Sequence, residues 1–298
     1  MAHVVSLGDA SVDLVSALPE PLEVGRELQG ELALTIGGFG ALTAAWLATV
    51  GSPATLVACV GQDSMGQYIK AQSQRLGVRI DLIATAAGSR TGASVHITDQ
   101  DGARTRVTDP GANAYLDLGG PVVAAIEAAD LLVMSAISYL REATRDTCIA
   151  ALDAARASGT AVAVDTGSAT AILQAGPAQV RRFLDQVDIV LGNDEEVAAL
   201  TSDQPSGWLG SLPNLVIKHG AGGASWWSNG VAVTRRPSRV TQLVDATGAG
   251  DAFNAGALAV IVASGDLMEI PKGVKQMALE AGATAAASAC QRMGAWPA

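Results

Sequence analysis

Val244-Asp245-Ala246-Thr247-Gly248-Ala249-Gly250-Asp251-Ala252-Phe253-Asn254-Ala255-Gly256 is the stretch on which the reading of this chain turns. From Ala252 to Ser264 the residues are apolar and helical in period, so Gly248, Ala249 and Gly250 stand at a helix N-terminus. Small residues there let successive backbone N–H groups point at an anion, and the helix dipole adds to the attraction. Asp251 falls in the first helical turn, beside that anion hole. A carboxylate is a good helix-start residue in any protein. In Gly-Ala-Gly-Asp, preceded by Asp-x-Thr, the sharper reading is a base that takes a proton from a hydroxyl while the hole holds a phosphoryl group.

Upstream of this stretch, short β-rich runs alternate with Ala-rich helical runs. Val4 to Leu7 reads as a strand stopping at Gly8-Asp9, and Phe39 to Val50 as a helix stopping at Gly51. Strands follow at Thr55–Val60 and Arg79–Ala84, with a helix at Ser64–Leu76 between them. Further strands are expected at Ala129–Met134, Thr160–Val164, Val187–Leu191 and Leu215–Lys218, with a long helix over Arg141–Ala157. This rhythm implies βαβ units and an α/β fold with a mostly parallel sheet, buried on both faces. Two regions break it. Residues 12–36 hold strand-like pieces around Pro19 and Pro21, and residues 91–108 read as a hairpin with an Asp101-Gly102 turn. They make either an edge extension of the main sheet or a small separate sheet acting as a lid. No linker or repeat divides the chain, so residues 1–298 are taken as one domain with those two insertions.

Composition narrows the function. The chain has 298 residues, 49% of them hydrophobic, and a net charge of -10 that argues against a nucleic-acid partner. Glycine, at 33 residues, is in excess and suggests backbone that approaches a ligand closely. No basic leader opens the chain, and no apolar run reaches the roughly 18 residues of a membrane span. Cys59, Cys148 and Cys290 are far apart in apolar surroundings, which reads as buried thiols in a cytoplasmic protein. His3, His96 and His219 lack metal-ligand spacing. None of the four lysines follows a glycine, so a Walker A phosphate loop is excluded, and Gly-x-Gly-x-x-Gly does not follow the first strand.

Asp245 to Phe253 closely resembles the C-terminal signature of the ribokinase-like carbohydrate kinases of the PfkB family, D-T-T-G-A-G-D-x-F, with Ala246 the one departure. Gly37-Gly38 before an Ala-rich helix, then Val60-Gly61-Gln62-Asp63-Ser64-Met65-Gly66, resembles the N-terminal signature. Gly8 to Asp13 resembles the opening G-(x)4-D, Asn193 to Glu196 the N-x-x-E, and Lys218 to Gly223 the K-x-G-x-x-G. The matches come in family order. The resemblance implies a three-layer α/β/α ribokinase-like fold with a β-sheet lid over the site. It also implies ATP-dependent phosphorylation of a sugar hydroxyl, with Asp251 as base and Gly248, Ala249 and Gly250 as the anion hole. Ser11, Asp13, Gly37 and Gly38 would meet the sugar. Asn193, Lys218, Gly220 and Gly223 would serve the nucleotide, with Asn193 and Glu196 organising Mg²⁺. Asp245 and Thr247 would help to hold K⁺, and the lid would pair two subunits into a homodimer.

Departures bear on the substrate. Leu42 stands where the family usually has a sugar-binding Asn, Ala136 replaces the ribokinase group's acidic residue, and Ala283 replaces an Asn under the adenine. Asp165-Thr166-Gly167-Ser168-Ala169 stands where fructokinases and ketodeoxygluconate kinases carry D-x-N-x-R. Gly111-Ala112-Asn113 does resemble a ribokinase-group segment. Arg104 and Arg106 share one face of a lid strand, either as solvated edge charges or to meet an acidic or phosphorylated substrate. The expected activity is phosphorylation of a primary sugar hydroxyl. A nucleoside kinase on the same fold, or a degenerate ligand-binding member, are the alternatives.

Overall fold

The computed structural model describes residues 3–18, 20–21, 25, 27–98, 104–202, 208–237, 239, 243–267 and 269–297, with Ala17 and Arg104 by their backbone alone. Pro19 and the Asp101-Gly102 turn lie outside the described residues.

Chain order runs β1 (Val4–Leu7), β2 (Ser11–Ala17), β3 (Glu31–Gly37), α1 (Phe39–Thr49), β4 (Ala54–Gly61), α2 (Ser64–Arg75), β5 (Ile83–Ala86), β6 (Gly92–Thr98) and β7 (Arg104–Asp109). It continues α3 (Gly120–Glu127), β8 (Leu131–Ser135), α4 (Ala136–Leu140), α5 (Glu142–Ser158), β9 (Ala161–Asp165), α6 (Ala169–Ala175), α7 (Pro177–Leu184), β10 (Ile189–Asn193) and α8 (Asp194–Leu200). It closes with β11 (Leu215–Lys218), β12 (Ala224–Ser228), β13 (Val231–Arg236), α9 (Ala249–Ser264) and α10 (Lys272–Ala289). The main sheet has nine strands in the order β13-β12-β11-β10-β9-β8-β1-β4-β5. From β11 to β5 neighbours are parallel, while the β12–β13 edge is antiparallel.

Alternation within the strands makes three layers. Val4, Leu131, Val133 and Ala163 face one core, built with Leu47 of α1, Phe253 and Ile261 of α9, and Leu279 of α10. Val5, Leu132, Met134 and Val162 face the other, built with Ile126, Cys148, Leu152 and Phe183. Because both faces are covered, the parallel strands read as continuous apolar runs rather than alternating ones. Helices α9 and α10 pack closely because glycine allows it. A Cβ on Gly256 would come within 2.7 Å of the Ala281 carbonyl oxygen, and one on Gly282 within 2.9 Å of Phe253.

The expected strand at Arg79–Ala84 starts later, at Ile83. Arg79 makes an isolated bridge to Thr55, and a turn at Asp81–Leu82 intervenes before pairing resumes. Helix α9 begins at Ala249 rather than Ala252, with Gly248 as its N-cap, so the residues expected to form an anion hole make up its N-cap and first turn.

The two insertions form a separate four-stranded sheet, β3-β2-β6-β7. In it β2 runs antiparallel to β3 and parallel to β6, and β6 runs antiparallel to β7. Period-two geometry sorts its side chains. Asp13, Thr35, Ser94, His96, Arg106 and Thr108 share the face toward the main sheet, while Leu14, Leu34, Val95 and Val107 share the outer one.

Candidate active site

Parallel strands β1, β8, β9, β10 and β11 all run their C-terminal ends to one edge of the sheet. Their terminal residues, with Asp9 just past β1, are Asp9, Ser135, Asp165, Asn193 and Lys218, and all five line one cleft of about 600 Å³. Open α/β sheets bind ligands at this edge, because the side chains that leave the sheet there are free of strand packing. The second sheet covers the cleft from above, contributing Ser11, Asp13, His96, Arg106 and Thr108. The loop into α9 supplies the floor: Ala246, Thr247, Gly248, Ala249, Gly250 and Asp251.

The floor is shaped by one glycine. Gly248 has φ +76°, and a Cβ there would lie 2.5 Å from that of Ala295. Any other residue would be strained in conformation and blocked in space. Asp245 ties the loop down. Its Oδ1 accepts from the Thr247 N–H at 2.9 Å and hydroxyl at 2.7 Å, and its Oδ2 accepts from the Gly294 N–H at 2.9 Å. The Ala249 N–H donates to the Ala246 carbonyl at 3.2 Å. Gly250 and Asp251 therefore hold the first-turn N–H groups without a helical acceptor.

Asp251 lies beside a cluster that sequence reading did not join up. Lys218 donates from Nζ to Asp165 Oδ2 at 2.8 Å and to Asn254 Oδ1 at 3.1 Å, and the Asn254 amide donates back to Asp165 Oδ2 at 2.7 Å. Burial and the Asp165 carboxylate push the Asp251 pKa up to about 7, against the pull of Lys218 and Arg106. Burial alone would lower the Lys218 pKa, but the carboxylates of Asp165 and Glu196 outweigh it and raise it. Glu196 is raised by burial and by Asp165. It closes a capping box on α8: Oε2 accepts from the Asn193 N–H at 2.9 Å and the Thr166 hydroxyl at 2.6 Å, while Asn193 Oδ1 accepts from the Glu196 N–H at 2.9 Å.

At the other end of the cleft, Asp13 is 3% exposed. Its Oδ1 accepts from the hydroxyls of Ser11 at 3.1 Å and Ser94 at 2.6 Å, and His96 Nε2 stands 3.1 Å from its Oδ2. Burial would raise its pKa; the hydrogen bonds from His96 and Ser94 hold it below the ordinary value instead. Gly37 makes room for this carboxylate, since a Cβ there would sit 2.0 Å from Oδ2. Nearby, Arg141 grips Asp9 with two hydrogen bonds of 2.9 and 2.6 Å, and the Asn113 amide brackets the backbone of Ala10. Phe39, Leu42 and Ile137 form an apolar stretch of the wall.

Of the residues singled out in the sequence, the cleft brings together Ser11, Asp13, Gly38, Asn193, Glu196, Lys218, Gly220, Thr247, Gly248, Ala249, Gly250 and Asp251. Gly37 lies behind Asp13, Gly223 packs against Arg236 and Pro237, and Asp245 braces the loop from below. Sequence reading missed Asp9, Arg141 and Asn254, and it did not give Asp165 its place among these groups. For Asp9 and Asp165 a usable signal was present, because Asp165 ends a parallel strand and Asp9 stands two residues past one. A larger groove of about 1060 Å³ lies outside α1, α9 and α10, away from these strand ends.

A pfkB family carbohydrate kinase model matches residues 1–297. A fructokinase of Klebsiella pneumoniae is 30% identical over 270 residues, 87% of this chain and 84% of that protein. An ATP-dependent ribose-1-phosphate kinase of Halopiger xanaduensis is 27% identical over 277 residues, 90% of this chain and 87% of that protein. Among solved structures, the adenosine kinase of Sinorhizobium meliloti superposes with a TM-score of 0.85 at 19% identity, covering 99% of this chain and 96% of that one. The chain belongs to the pfkB family of carbohydrate kinases. It is an ATP-dependent kinase with the ribokinase fold.

Proposed function

We propose that this kinase transfers the γ-phosphoryl group of ATP to a primary hydroxyl of a small sugar, with Asp251 as general base. The observation that carries the proposal is Asp251 itself: a carboxyl with a pKa of about 7, in the first turn of a helix that Gly248 starts without a side-chain cap. Asp13 accepts hydrogen bonds from sugar hydroxyls, steadied by Ser94 and His96. The substrate hydroxyl then lies between Asp13 and Asp251, and its proton passes to Asp251 as its oxygen bonds to the γ-phosphorus and the bond from that phosphorus to the bridging oxygen breaks, releasing ADP. Gly250 and Asp251 N–H groups and the Lys218 ammonium meet the charge on the transferring group, which is where phosphoryl transfer needs the protein. Gly220 and Asn193 flank the donor.

Among the described residues no three acidic, histidine or cysteine side chains converge as a metal site. That suits Mg²⁺, which keeps waters and takes phosphate oxygens, with Glu196 and Asn193 ordering the water shell. When bound, Mg²⁺ neutralises phosphate charge. Asp245 has both oxygens engaged by Thr247 and Gly294, so what it offers K⁺ is a fixed loop rather than a free carboxylate. A cytoplasmic setting, with Cys59, Cys148 and Cys290 all free and buried, completes the reading.

The apolar wall of Phe39, Leu42 and Ile137 favours a second reading, a nucleoside acceptor whose base rests there. An ADP-release screen of sugars and nucleosides, in K⁺ and in a bulky organic cation, separates the two. Turnover on sugars, lost in Asp251→Asn, is the expected result. Turnover on nucleosides alone selects the second reading, and binding without ADP release overturns both.

A further inference from the structure

We propose that the acceptor carries an anionic group, a carboxylate or a phosphate, held by Arg106 with His96 beside it on the inner face of the second sheet. The inference rests on the kinase reading above and names the substrate class of that same site. Arg106 lines the cleft and pairs in register with His96 across β6 and β7. The inner face thus carries Asp13, His96 and Arg106 on three successive strands, running from the acceptor carboxylate out to the cleft mouth.

The other cations in and beside the cleft have protein partners of their own. Lys218 is hydrogen-bonded to Asp165 and Asn254, and Arg141 clasps Asp9 through both carboxylate oxygens. Among the described residues no carboxylate lies within ion-pair distance of Arg106, although its field reaches both Asp13 and Asp251. A neutral sugar gives a guanidinium little to do, since hydroxyls are matched well by carboxylates and amides. A planar fork of donors matches carboxylate and phosphate oxygens two at a time. The opposite wall agrees. Leu42, 6% exposed, presents an alkyl surface where a hydroxyl would want a polar partner. The second sheet's own position adds a consequence: an anion bridging Arg106 and the cleft would tether the sheet over the site before transfer.

The test is a panel of neutral sugars and their anionic counterparts: ribose and fructose against ribonate, gluconate, ribose 1-phosphate and fructose 1-phosphate. Binding is measured by calorimetry without nucleotide, and kcat/KM by ADP release. The expected result is that anionic members outrank neutral ones by at least about tenfold, the scale of hydrogen bonds to a charged group. Arg106→Met should collapse that preference to a few-fold, and Arg106→Lys, which keeps charge but loses the fork, should retain part of it. The ranking of acids against phosphates says which anion is used. Neutral sugars ranking first would overturn the inference while ADP release upholds the kinase reading. A raised KM for ATP with equal losses on every acceptor would also overturn it, by placing the guanidinium on the donor. Absent ADP release would strike the kinase reading alone, because calorimetry still ranks the panel. Circular dichroism checks that both variants fold, as expected for an exposed strand position.

Discussion

Two carboxylates on one floor have different fates. Asp165 is tied to Lys218 and Asn254, whereas Asp251 is left to titrate near neutrality. A base must be ionised to act, so kcat/KM should rise with pH along a limb centred at about 7. Asp165→Asn removes a neighbouring negative charge and should move that limb to lower pH; pH profiles of both enzymes check the direction, and an unmoved limb would assign it to another group. Asp251→Asn should lower kcat by roughly 10²–10⁴ with smaller effects on ligand affinity. The same residue has a stability signature. Its pKa is raised on folding, so the folded state binds the proton more tightly and stability falls as pH climbs through about 7. Asp251→Asn escapes that loss, and should melt above the unaltered chain at pH 8 with the gap closing by pH 4. That Asp251 and its glycines stand together in the cleft was legible because they are consecutive residues. Asp9 with Arg141, 132 residues apart, and Asp165 with Asn254, 89 apart, are products of folding that no local pattern announces.

At the scale of elements, what could be read was what packs on both sides. Strands such as Leu131–Ser135 and Leu215–Lys218 are apolar runs because each face meets a helix layer. The edge hairpin, Ala224–Ser228 and Val231–Arg236, was not foreseen, since its outer strand is largely exposed and mixes valine with arginine. Helices Ala136–Leu140 and Ala169–Ala175 were also missed. Each is only a turn or two long, started by a serine cap at Ser135 or Ser168 rather than by amphipathic period. The broken rhythm left two readings for the insertions, an edge extension or a separate sheet, and the structure has the separate sheet. Its inner face carries the proposed acceptor contacts while its strands connect to the main sheet by loops, so it is the element placed to close. Hydrogen exchange should slow in Ser11–Ala17, Glu31–Gly37 and Gly92–Thr98 when a turned-over acceptor is added. Equal exchange with and without saturating acceptor would make the sheet a fixed wall.

For the whole molecule, the outer face of that sheet is the anomaly. A chain with net charge -10 would be expected to cover its surface with polar groups, yet Leu32, Leu34 and Val107 are 66%, 52% and 64% exposed here, with Val95 between them. Leu34, Leu14, Val95 and Val107 are partners in register, so they form one stripe across all four strands. Contiguous exposed apolar surface of this kind marks an interface. A second copy is the occupant we favour, because a twofold axis through the stripe would set leucine and valine against their own counterparts. The charge makes a specific demand on such a dimer. Two acidic subunits repel at long range, and salt screens that repulsion while leaving the apolar contact intact. Sedimentation at micromolar concentration should therefore show a dimer that tightens as salt rises. Leu34→Glu with Val107→Glu should yield monomers that still fold, since both side chains are already in water. Because Asp13 and His96 sit on the reverse of the same strands, losing the partner should loosen the acceptor's roof and raise its KM more than it lowers kcat. A monomeric unaltered chain across that salt range would refute the pairing and leave the stripe to some other partner.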